Sequence, residues 1–283
     1  MKFSKYILAL VLIVFISCEE TIIIDTGDLA ERVIIEGLVT NRGEQAFVKL
    51  TRSRDFYAQG PADRITNADV EVTVNESETV IFFHNPDNDP DLIGYYYPIG
   101  GLTGEIGSTY SLSVRIGEEL FEASETMEPV TSIDSLTTKF NEDEFEDPEI
   151  DGRYFEVLLN AEEPQDRDDQ YLFKFYRNDT VLRDFPTDVY VAEDELLGGR
   201  IAELEIPGYF SIDDVALVEM YSLTQEAFIF YFDLNNLING DGGMFSPPPA
   251  DPRNNLSNNA LGYFQVSAIE SDTVVVYDPR EDE

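Results

Sequence analysis

The chain has 283 residues, and its 57 aspartate and glutamate side chains against 18 lysine and arginine side chains give a formal net charge of −39. Such a charge excludes nucleic acid as a partner, because a phosphate backbone requires a basic surface, and it excludes electrostatic attachment to anionic lipid. The apolar fraction of 43% and the aromatic fraction of 12% are high enough for packed cores, so a wholly disordered chain is excluded as well.

The first 17 residues have the pattern of an export signal. Lys2 and Lys5 precede an apolar run over residues 6–16, which is too short to span a bilayer. The small residue Ser17 then precedes Cys18, the only cysteine of the chain. This order predicts a bacterial lipoprotein signal over residues 1–17, with Cys18 acylated as the new N-terminus. Several acyl chains on one residue would anchor the protein more firmly than a single chain does. An ordinary secretory signal with an incidental cysteine is the alternative. Residues 18–30 then form the lipidated tether.

Residues 31–128 consist of short runs in which apolar and polar side chains alternate. Alternation with period two, interrupted by turn residues at this spacing, is typical of an antiparallel sandwich. The pattern predicts one immunoglobulin-like or prealbumin-like β-sandwich domain of about seven strands. The clearest runs are Val33–Val39, Ala46–Thr51, Asp69–Asn75, Glu78–His84, Tyr110–Ile116 and Leu120–Met127.

Residues 129–283 are predicted to form a second β-rich domain that contains one helix. The acidic run over residues 141–151 is too charged to pack and is expected to be a solvated loop. Ser222 as N-cap and Gln225 at N3 match a capping box, and apolar residues recur at helical spacing beyond them, so a helix is predicted near 223–239. The fold class is therefore mainly β, with two antiparallel β-sandwich-like halves and one α-helix in the C-terminal half. The predicted strands are Ile133–Phe140, Tyr154–Asn160, Tyr171–Arg177, Thr180–Asp184, Arg200–Ile206, Asp214–Tyr221, Leu261–Glu270 and Thr273–Asp278.

The residue types that enzymes use most are scarce. His84 is the only histidine and Cys18 is the only cysteine, so a histidine-based triad, a histidine-ligated zinc site and a cysteine nucleophile all lack partners. The chain also lacks a phosphate-binding glycine loop and a dinucleotide fingerprint. A pair of catalytic carboxylates stays open, because 57 acidic residues offer many chance pairs. We expect a protein that is not an enzyme and has no cofactor.

Three features are candidates for binding. Asp87, Asp89 and Asp91 offer oxygen ligands to calcium, but the following positions depart from the EF-hand pattern, so a solvated turn is the preferred interpretation. Met244 and Phe245 precede three prolines in an extended apolar segment that is expected to contact a partner.

The consecutive tyrosines Tyr95, Tyr96 and Tyr97 form the third candidate. Side chains alternate along a strand, so at least one ring faces outward. An outward ring would stack on a sugar or pack against a partner protein, unless a neighbouring loop covers it.

The order of several short motifs resembles the family catalogued as domain of unknown function 4249 (DUF4249). Val33–Gly37 is similar to its opening motif, and Ala46–Phe56 and Asn67–Val72 are similar to the strands that follow. Ile133–Leu136 resembles its entry into the second half. The most specific similarity is the ending over Phe245–Phe264, with its prolines, its paired asparagines and the Leu-Gly-Tyr-Phe motif.

The resemblance implies a place in the cell and a broad role. Members of this family are similar to outer-membrane lipoproteins that accompany TonB-dependent transporters, and Glu19 and Glu20 after Cys18 fit display on the cell surface. We therefore expect a non-enzymatic outer-membrane lipoprotein that is an accessory or binding partner of such a barrel. The alternative is a surface glycan- or peptide-binding module that captures nutrient directly. Beyond Cys18, the resemblance implies no functional residues.

Overall fold

A computed structural model describes residues 31–54, 60–162, 164, 166–185, 187–193, 200–240 and 250–281. The predicted signal peptide, the tether with Cys18, and the candidate contacts Met244 and Phe245 lie outside the described residues. Every element below belongs to one structural unit, formed by Arg32–Ser53 and Gly60–Glu283. No helix among the described residues has the length and apolarity that crossing a membrane would require.

The described residues are mainly strands. Short 3₁₀ turns lie at Gly43–Gln45, Pro90–Leu92 and Pro279–Glu281. The helices are α1 (Glu142–Glu146) and α2 (Gln225–Asn239). The strands are β1 (Val33–Thr40), β2 (Phe47–Arg52), β3 (Asp69–Val74), β4 (Glu78–His84), β5 (Tyr95–Pro98), β6 (Thr109–Ile116), β7 (Glu119–Thr126), β8 (Ser135–Phe140), β9 (Phe155–Glu162), β10 (Gln170–Arg177), β11 (Thr180–Leu182), β12 (Tyr190–Glu193), β13 (Arg200–Glu205), β14 (Val215–Leu223), β15 (Leu261–Ser267) and β16 (Ile269–Val275).

The first sheet contains eight strands in the order β15-β1-β2-β5-β4-β3-β6-β7. Alternation sets its two faces. Val70 and Val72 of β3 are buried, whereas Glu71 between them is exposed. The same alternation runs along β6, where Tyr110 and Leu112 point into the core. Each strand predicted between residues 33 and 127 is present, and the prediction of a mainly β, antiparallel, sandwich-like fold is confirmed.

One strand of this sheet comes from the far end of the chain. β15 pairs in parallel with β1, and Gly37 lies opposite Phe264. A Cβ atom on Gly37 would lie 2.6 Å from the Phe264 ring, so the absence of a side chain lets that ring cover the strand. The sheet thus contains residues from both sides of the predicted domain boundary at 128/129, and that boundary stays a prediction.

The sheet curls until its two terminal strands, β7 and β15, meet. Glu128 forms a parallel bridge with Ser267. Just before β15, the Ser257 N–H donates to the Glu122 carbonyl at 2.8 Å, and the Glu122 N–H donates to Ser257 Oγ at 2.8 Å. We call this contact the closing seam and define it by Glu122, Glu125, Asn255, Ser257 and Tyr263.

A second sandwich is formed by the rest of the chain. One sheet has the order β13-β9-β8, and the other has the order β11-β10-β14-β16 with β12 also paired to β10. Their facing side chains form one apolar core, in which Val157 and Leu159 of β9 pack with Phe173 and Phe175 of β10 and Val218 of β14. The predicted strands of this half are present, but the last two have different bounds. The run predicted as one strand over Leu261–Glu270 is interrupted at Ala268, and β16 continues through residues 271–272, where the prediction placed a gap.

Helix α2 confirms the predicted helix, but its predicted N-cap is wrong. Thr224 caps the helix, because its Oγ1 accepts from the Ala227 N–H at 3.1 Å. Ser222 instead belongs to β14, where its hydroxyl donates to the Glu128 carbonyl at 2.7 Å. Counted from Thr224, Gln225 is the first helical residue and Ala227 is at N3, so the predicted capping box does not form, because the strand before the helix extends two residues further than predicted.

The acidic run over residues 141–151 also differs from its prediction as a solvated loop. It contains the short helix α1, whose first turn is capped by the Asn141 side chain. Glu144 within it is buried and accepts from the Glu149 N–H at 2.6 Å. A charged residue packs here because a local backbone donor satisfies its carboxylate.

Candidate functional site

The three consecutive tyrosines divide between the two faces of β5. Tyr96 is buried, its hydroxyl donates to the Ile65 carbonyl at 3.1 Å, and the Ala68 N–H donates to it at 3.0 Å. Tyr95 and Tyr97 lie half-buried on the outer face with their rings stacked, 6.1 Å apart and 9° from parallel. The sequence therefore predicted an outward-facing ring correctly, and the structure places two there.

Tyr97 lines an open groove of about 490 Å³ whose two walls come from different sheets. One wall is the outer face of the first sheet, with Leu38 and Phe47 beside Tyr97. The other wall is the face of the second half's larger sheet that points away from its own sandwich core. We call this site the aromatic groove. Its lining residues are Leu38, Glu44, Gln45, Phe47, Tyr97, Lys174, Tyr176, Asp179, Leu217, Glu219 and Tyr221.

A buried carboxylate lies at the base of the second wall. Glu219 is 7% exposed, and Arg42 donates to its Oε1 at 3.1 Å. The hydroxyls of Tyr176 and Tyr221 donate to Oε2 at 3.0 and 2.9 Å. Burial raises the pKa of Tyr176 to about 12 and raises that of Tyr221 as well, with the Glu219 charge adding to both shifts. Both hydroxyls therefore stay protonated near neutral pH and fix their rings in place.

Two polar side chains of the groove have unused hydrogen-bonding capacity. Lys174 stands 4.2 Å from the centre of the Tyr221 ring and donates to its hydroxyl at 3.2 Å. An ammonium has three donors, so one bond leaves capacity for others. Burial lowers the pKa of Lys174, which the Glu219 charge partly offsets. Among the described residues, Gln45 Oε1 is a buried side-chain oxygen with no hydrogen-bond partner.

Sequence reasoning missed this second wall. Lys174 and Tyr176 alternate with the buried Phe173 and Phe175 along β10. That alternation shows which side chains leave the sandwich core, and it was a usable signal. It does not show that the exposed face of β10 lies opposite β5, because that depends on how the sheets pack.

The calcium candidate is a self-contained turn. The Asp89 side chain accepts from the Asp91 N–H at 2.8 Å and caps the 3₁₀ turn that follows. Asn85 closes the loop, because its side-chain amide bonds both to the carbonyl and to the N–H of Asp89. Within the described ranges, which include Asp87, no group of three or more His, Cys, Asp or Glu side chains is placed to hold a metal ion.

His84 has a local partner in the sheet. Its Nε2 accepts from the Gly94 N–H at 3.0 Å, and its ring packs at 5.2 Å from the Tyr96 ring. This is the strand-end position that the sequence predicted for it.

A larger cleft of about 660 Å³ lies between α2, β12 and the segment after β13. Its lining includes Phe173, Phe175, Tyr190 and Tyr209, and Phe232 of α2 contributes from the helix. Phe232 is 49% exposed, and farther along the helix Leu237 and Ile238 are exposed by 39% and 42%. The second half of α2 thus carries apolar side chains on its outer surface.

The closing seam contains a second buried carboxylate, and its environment is different. Glu125 is 6% exposed, and Tyr263 and Asn255 donate to its Oε2 at 2.6 and 3.0 Å. Burial raises the pKa of Glu125, although these hydrogen bonds partly oppose the shift. Both donors lie in the segment that leads into and forms β15, so these two bonds join that segment to β7.

Comparison with known proteins identifies one matching family model, described as Domain of unknown function (DUF4249), which matches residues 19–273. No curated protein gives a significant match. Among solved structures, a chain titled "Cytokine receptor complex - Crystal form 1A" is 11% identical and aligns over 69% of this chain and 85% of that chain, with a TM-score of 0.26. A TM-score this low carries no argument about fold or function.

Proposed function

The chain belongs to the DUF4249 family, and we propose that it is a non-enzymatic outer-membrane lipoprotein that serves as an accessory or binding partner of a TonB-dependent transporter. In this proposal the acyl groups on Cys18 hold an acidic body at the membrane, and its formal charge is −41, because removal of Lys2 and Lys5 with the signal changes the −39 of the whole chain by −2. Tethering raises the effective concentration of the protein near a barrel, so a modest contact surface is sufficient for association.

The anchor is tested by metabolic labelling. Cells given a labelled palmitate should yield labelled protein in the outer-membrane fraction, whereas Cys18→Ser should yield unlabelled protein that is released from that fraction. Labelling that persists in Cys18→Ser, or wild-type protein without label in the soluble fraction, would contradict the anchor.

The observation that carries the partner role is the exposed apolar C-terminal half of α2. Phe232, Leu237 and Ile238 are each 39–49% exposed around this part of the helix, and Phe232 also lines the neighbouring cleft. Exposed apolar side chains beside a concave surface are typical of protein–protein contacts. This surface lies in the same part of the chain as the predicted contact residues Met244 and Phe245.

In-cell cross-linking followed by mass spectrometry tests this surface. The wild-type protein should cross-link to a TonB-dependent barrel, and a triple variant, Phe232→Ser, Leu237→Ser and Ile238→Ser, should lose most of that product. Ile81→Ser with Phe83→Ser is the matched control, because these side chains are exposed to a similar degree on β4. Equal cross-linking of both variants would exclude the α2 surface.

A second candidate is direct capture of a glycan or a peptide, and the outward pair Tyr95 and Tyr97 favours it. Stacked aromatic rings beside a groove provide a flat apolar platform for a ligand. Binding of a nutrient ligand by the purified protein in the absence of any barrel, weakened by Tyr97→Ala, would favour this candidate over the accessory role.

A further inference from the structure

We infer that the aromatic groove binds a neutral carbohydrate, an inference that rests on the direct-capture function and specifies its ligand class. The groove's volume of about 490 Å³ lies within the range of roughly 300–1,000 Å³ that is usual for small-ligand sites. Four properties of the described residues support this ligand.

The first property is the placement of the rings. Phe47 and Tyr97 line one wall and Tyr176 lines the other, while Tyr95 stacks against Tyr97 from outside and holds its plane. Each pyranose ring has an apolar face of C–H groups, which packs on the flat face of an aromatic side chain. The hydrogen bond from the Tyr176 hydroxyl to Glu219 fixes the orientation of this ring, so the ring is preorganised for contact.

The second property is the unused polar capacity. Gln45 Oε1 is a buried acceptor without a partner among the described residues, and an acceptor left in this state is destabilising. Lys174 is a donor with one bond, to Tyr221. A ligand hydroxyl is both donor and acceptor, so a polyol satisfies Lys174 with one hydroxyl and, once the Gln45 side chain rotates its buried oxygen toward the groove, Gln45 with another.

The third property is the charge balance. Both oxygens of Glu219 are occupied, by Arg42 and by the two tyrosine hydroxyls. The exposed carboxylates of Glu44 and Asp179 also line the groove and would repel a carboxylated or sulfated sugar. The ammonium of Lys174 would repel a cationic group placed beside Tyr221. A neutral ligand avoids both penalties.

The fourth property is the absence of a free strand edge among the strands that form the walls. β2 pairs with β1 and β5, and β5 pairs with β2 and β4. β10 pairs with β14 on one side and with β11 and β12 on the other, and β14 pairs with β10 and β16. An extended peptide binds most readily by adding a strand to an open edge, and these described strands offer none. Recognition in this groove therefore depends on side chains.

The test is a glycan array probed with the full-length acylated protein in detergent, with neutral, carboxylated and sulfated oligosaccharides side by side. The wild-type protein should bind neutral members. Tyr97→Ala and Gln45→Met should each weaken that binding by about tenfold or more, which corresponds to about 1.4 kcal/mol. Tyr277→Ala is the matched control, because this exposed tyrosine is not part of the groove, and it should bind as the wild type does.

Gln45→Met also provides a readout that separates binding from folding. The variant removes a buried acceptor without a partner and keeps the length of the side chain, so its Tm should rise while its glycan affinity falls. A variant that lost binding through misfolding would show a lower Tm instead.

Several outcomes would overturn the inference. Binding restricted to charged glycans, or neutral-glycan binding unchanged in both groove variants, would exclude a neutral carbohydrate in this groove. Binding of peptides but of no glycan, weakened by Tyr97→Ala, would reject the ligand class and leave direct capture standing. Binding of neither would reject the inference and the direct-capture function together.

Discussion

The closing seam and the aromatic groove each contain a buried carboxylate, but they use it differently. At the seam, Glu125 receives hydrogen bonds from Asn255 and Tyr263, both supplied by the segment that it holds. In the groove, Glu219 is bonded to Arg42 and to two tyrosines, while Lys174 and Gln45 beside it keep polar capacity that the chain does not use.

The difference indicates which polar site is structural and which is available to a ligand. A buried network whose hydrogen bonds join two segments of the chain contributes specificity to the fold, because separating its members leaves unpaired groups in a low-dielectric interior. An unpaired acceptor in a buried network lowers the stability of the folded protein relative to a network in which every acceptor has a donor. A bound ligand would supply the missing donor and offset this loss of stability. The groove is therefore the better candidate for binding.

The largest expected effect displaces β15, the strand that contains Tyr263 of the seam, from its parallel partner β1. Gly262 of β15 has a φ of +97°, and a Cβ atom there would lie 2.1 Å from the Ile35 carbonyl oxygen. Gly262→Ala should lower the free energy of unfolding by about 3–5 kcal/mol, because the parallel strands β1 and β15 must separate. Urea denaturation measures the loss.

Gly117→Ala is the matched control for this clash. Gly117 also has a positive φ, +61°, but no atom lies within 4 Å of its added Cβ. It should lose about 1–2 kcal/mol from backbone strain alone. Equal losses at the two glycines would show that the close approach of β1 and β15 does not matter for stability.

The next largest effect concerns the ion pair of the groove. Arg42→Ala leaves Glu219 buried without its cation and should lower the free energy of unfolding by about 2 kcal/mol, a value moderated because the Arg42 side chain is 37% exposed. Arg42→Lys keeps the charge and should lose about half as much. Thermal unfolding of both variants at low and high salt measures the effect. A loss in Arg42→Ala no greater than in Arg42→Lys would contradict the role of charge.

A smaller effect is expected on the groove's outer surface. Tyr97→Ala should lower the free energy of unfolding by about 1 kcal/mol, because the half-buried ring loses only its stacking and partial burial. Tyr96→Ala on the same strand should lose about 3–5 kcal/mol, because that ring is 1% exposed and leaves a cavity. Denaturant midpoints of the pair measure the difference. Similar losses would mean that Tyr97 is structural and not free to bind.

The smallest expected effect is a pH-dependent gain in folding stability when Glu125 of the seam is replaced by glutamine. The pKa of Glu125 is raised above 4.5 in the folded state, so below pH 4.5 both states hold the proton and stability is unaffected. As the pH rises through the folded pKa, the folded state must ionise a buried carboxyl, and stability is lost. Glu125→Gln keeps an oxygen acceptor for Tyr263 and Asn255 and cannot ionise.

The variant should therefore be more stable than the wild type at pH 7, with the difference disappearing below pH 4.5. Melting curves across this range measure it. A variant that is less stable at pH 7 would mean that the ionised carboxylate itself stabilises the seam.

The sequence predicted local structure well where one face of an element is buried. Buried Val70 and Val72 alternate with exposed Glu71 because every second side chain of the strand points into the core. This alternation is visible in the sequence of one strand alone. The start of α2 was less accurate, because Thr224 and Ser222 both suit an N-cap and only the length of β14 decides between them. Glu144 was missed for a similar reason, since its burial depends on the Glu149 N–H.

By itself, the sequence determined that the fold is mainly β, where most strands lie, and that at least one of the three consecutive tyrosines faces outward from its strand. These properties depend on neighbours a few positions apart, so the pattern of side chains contains them. Tertiary structure alone decided that β15 completes the first sheet and that Lys174 and Tyr176 face Tyr97 across a groove. Such contacts join residues far apart in the chain, and they are set by how whole sheets pack rather than by any local pattern.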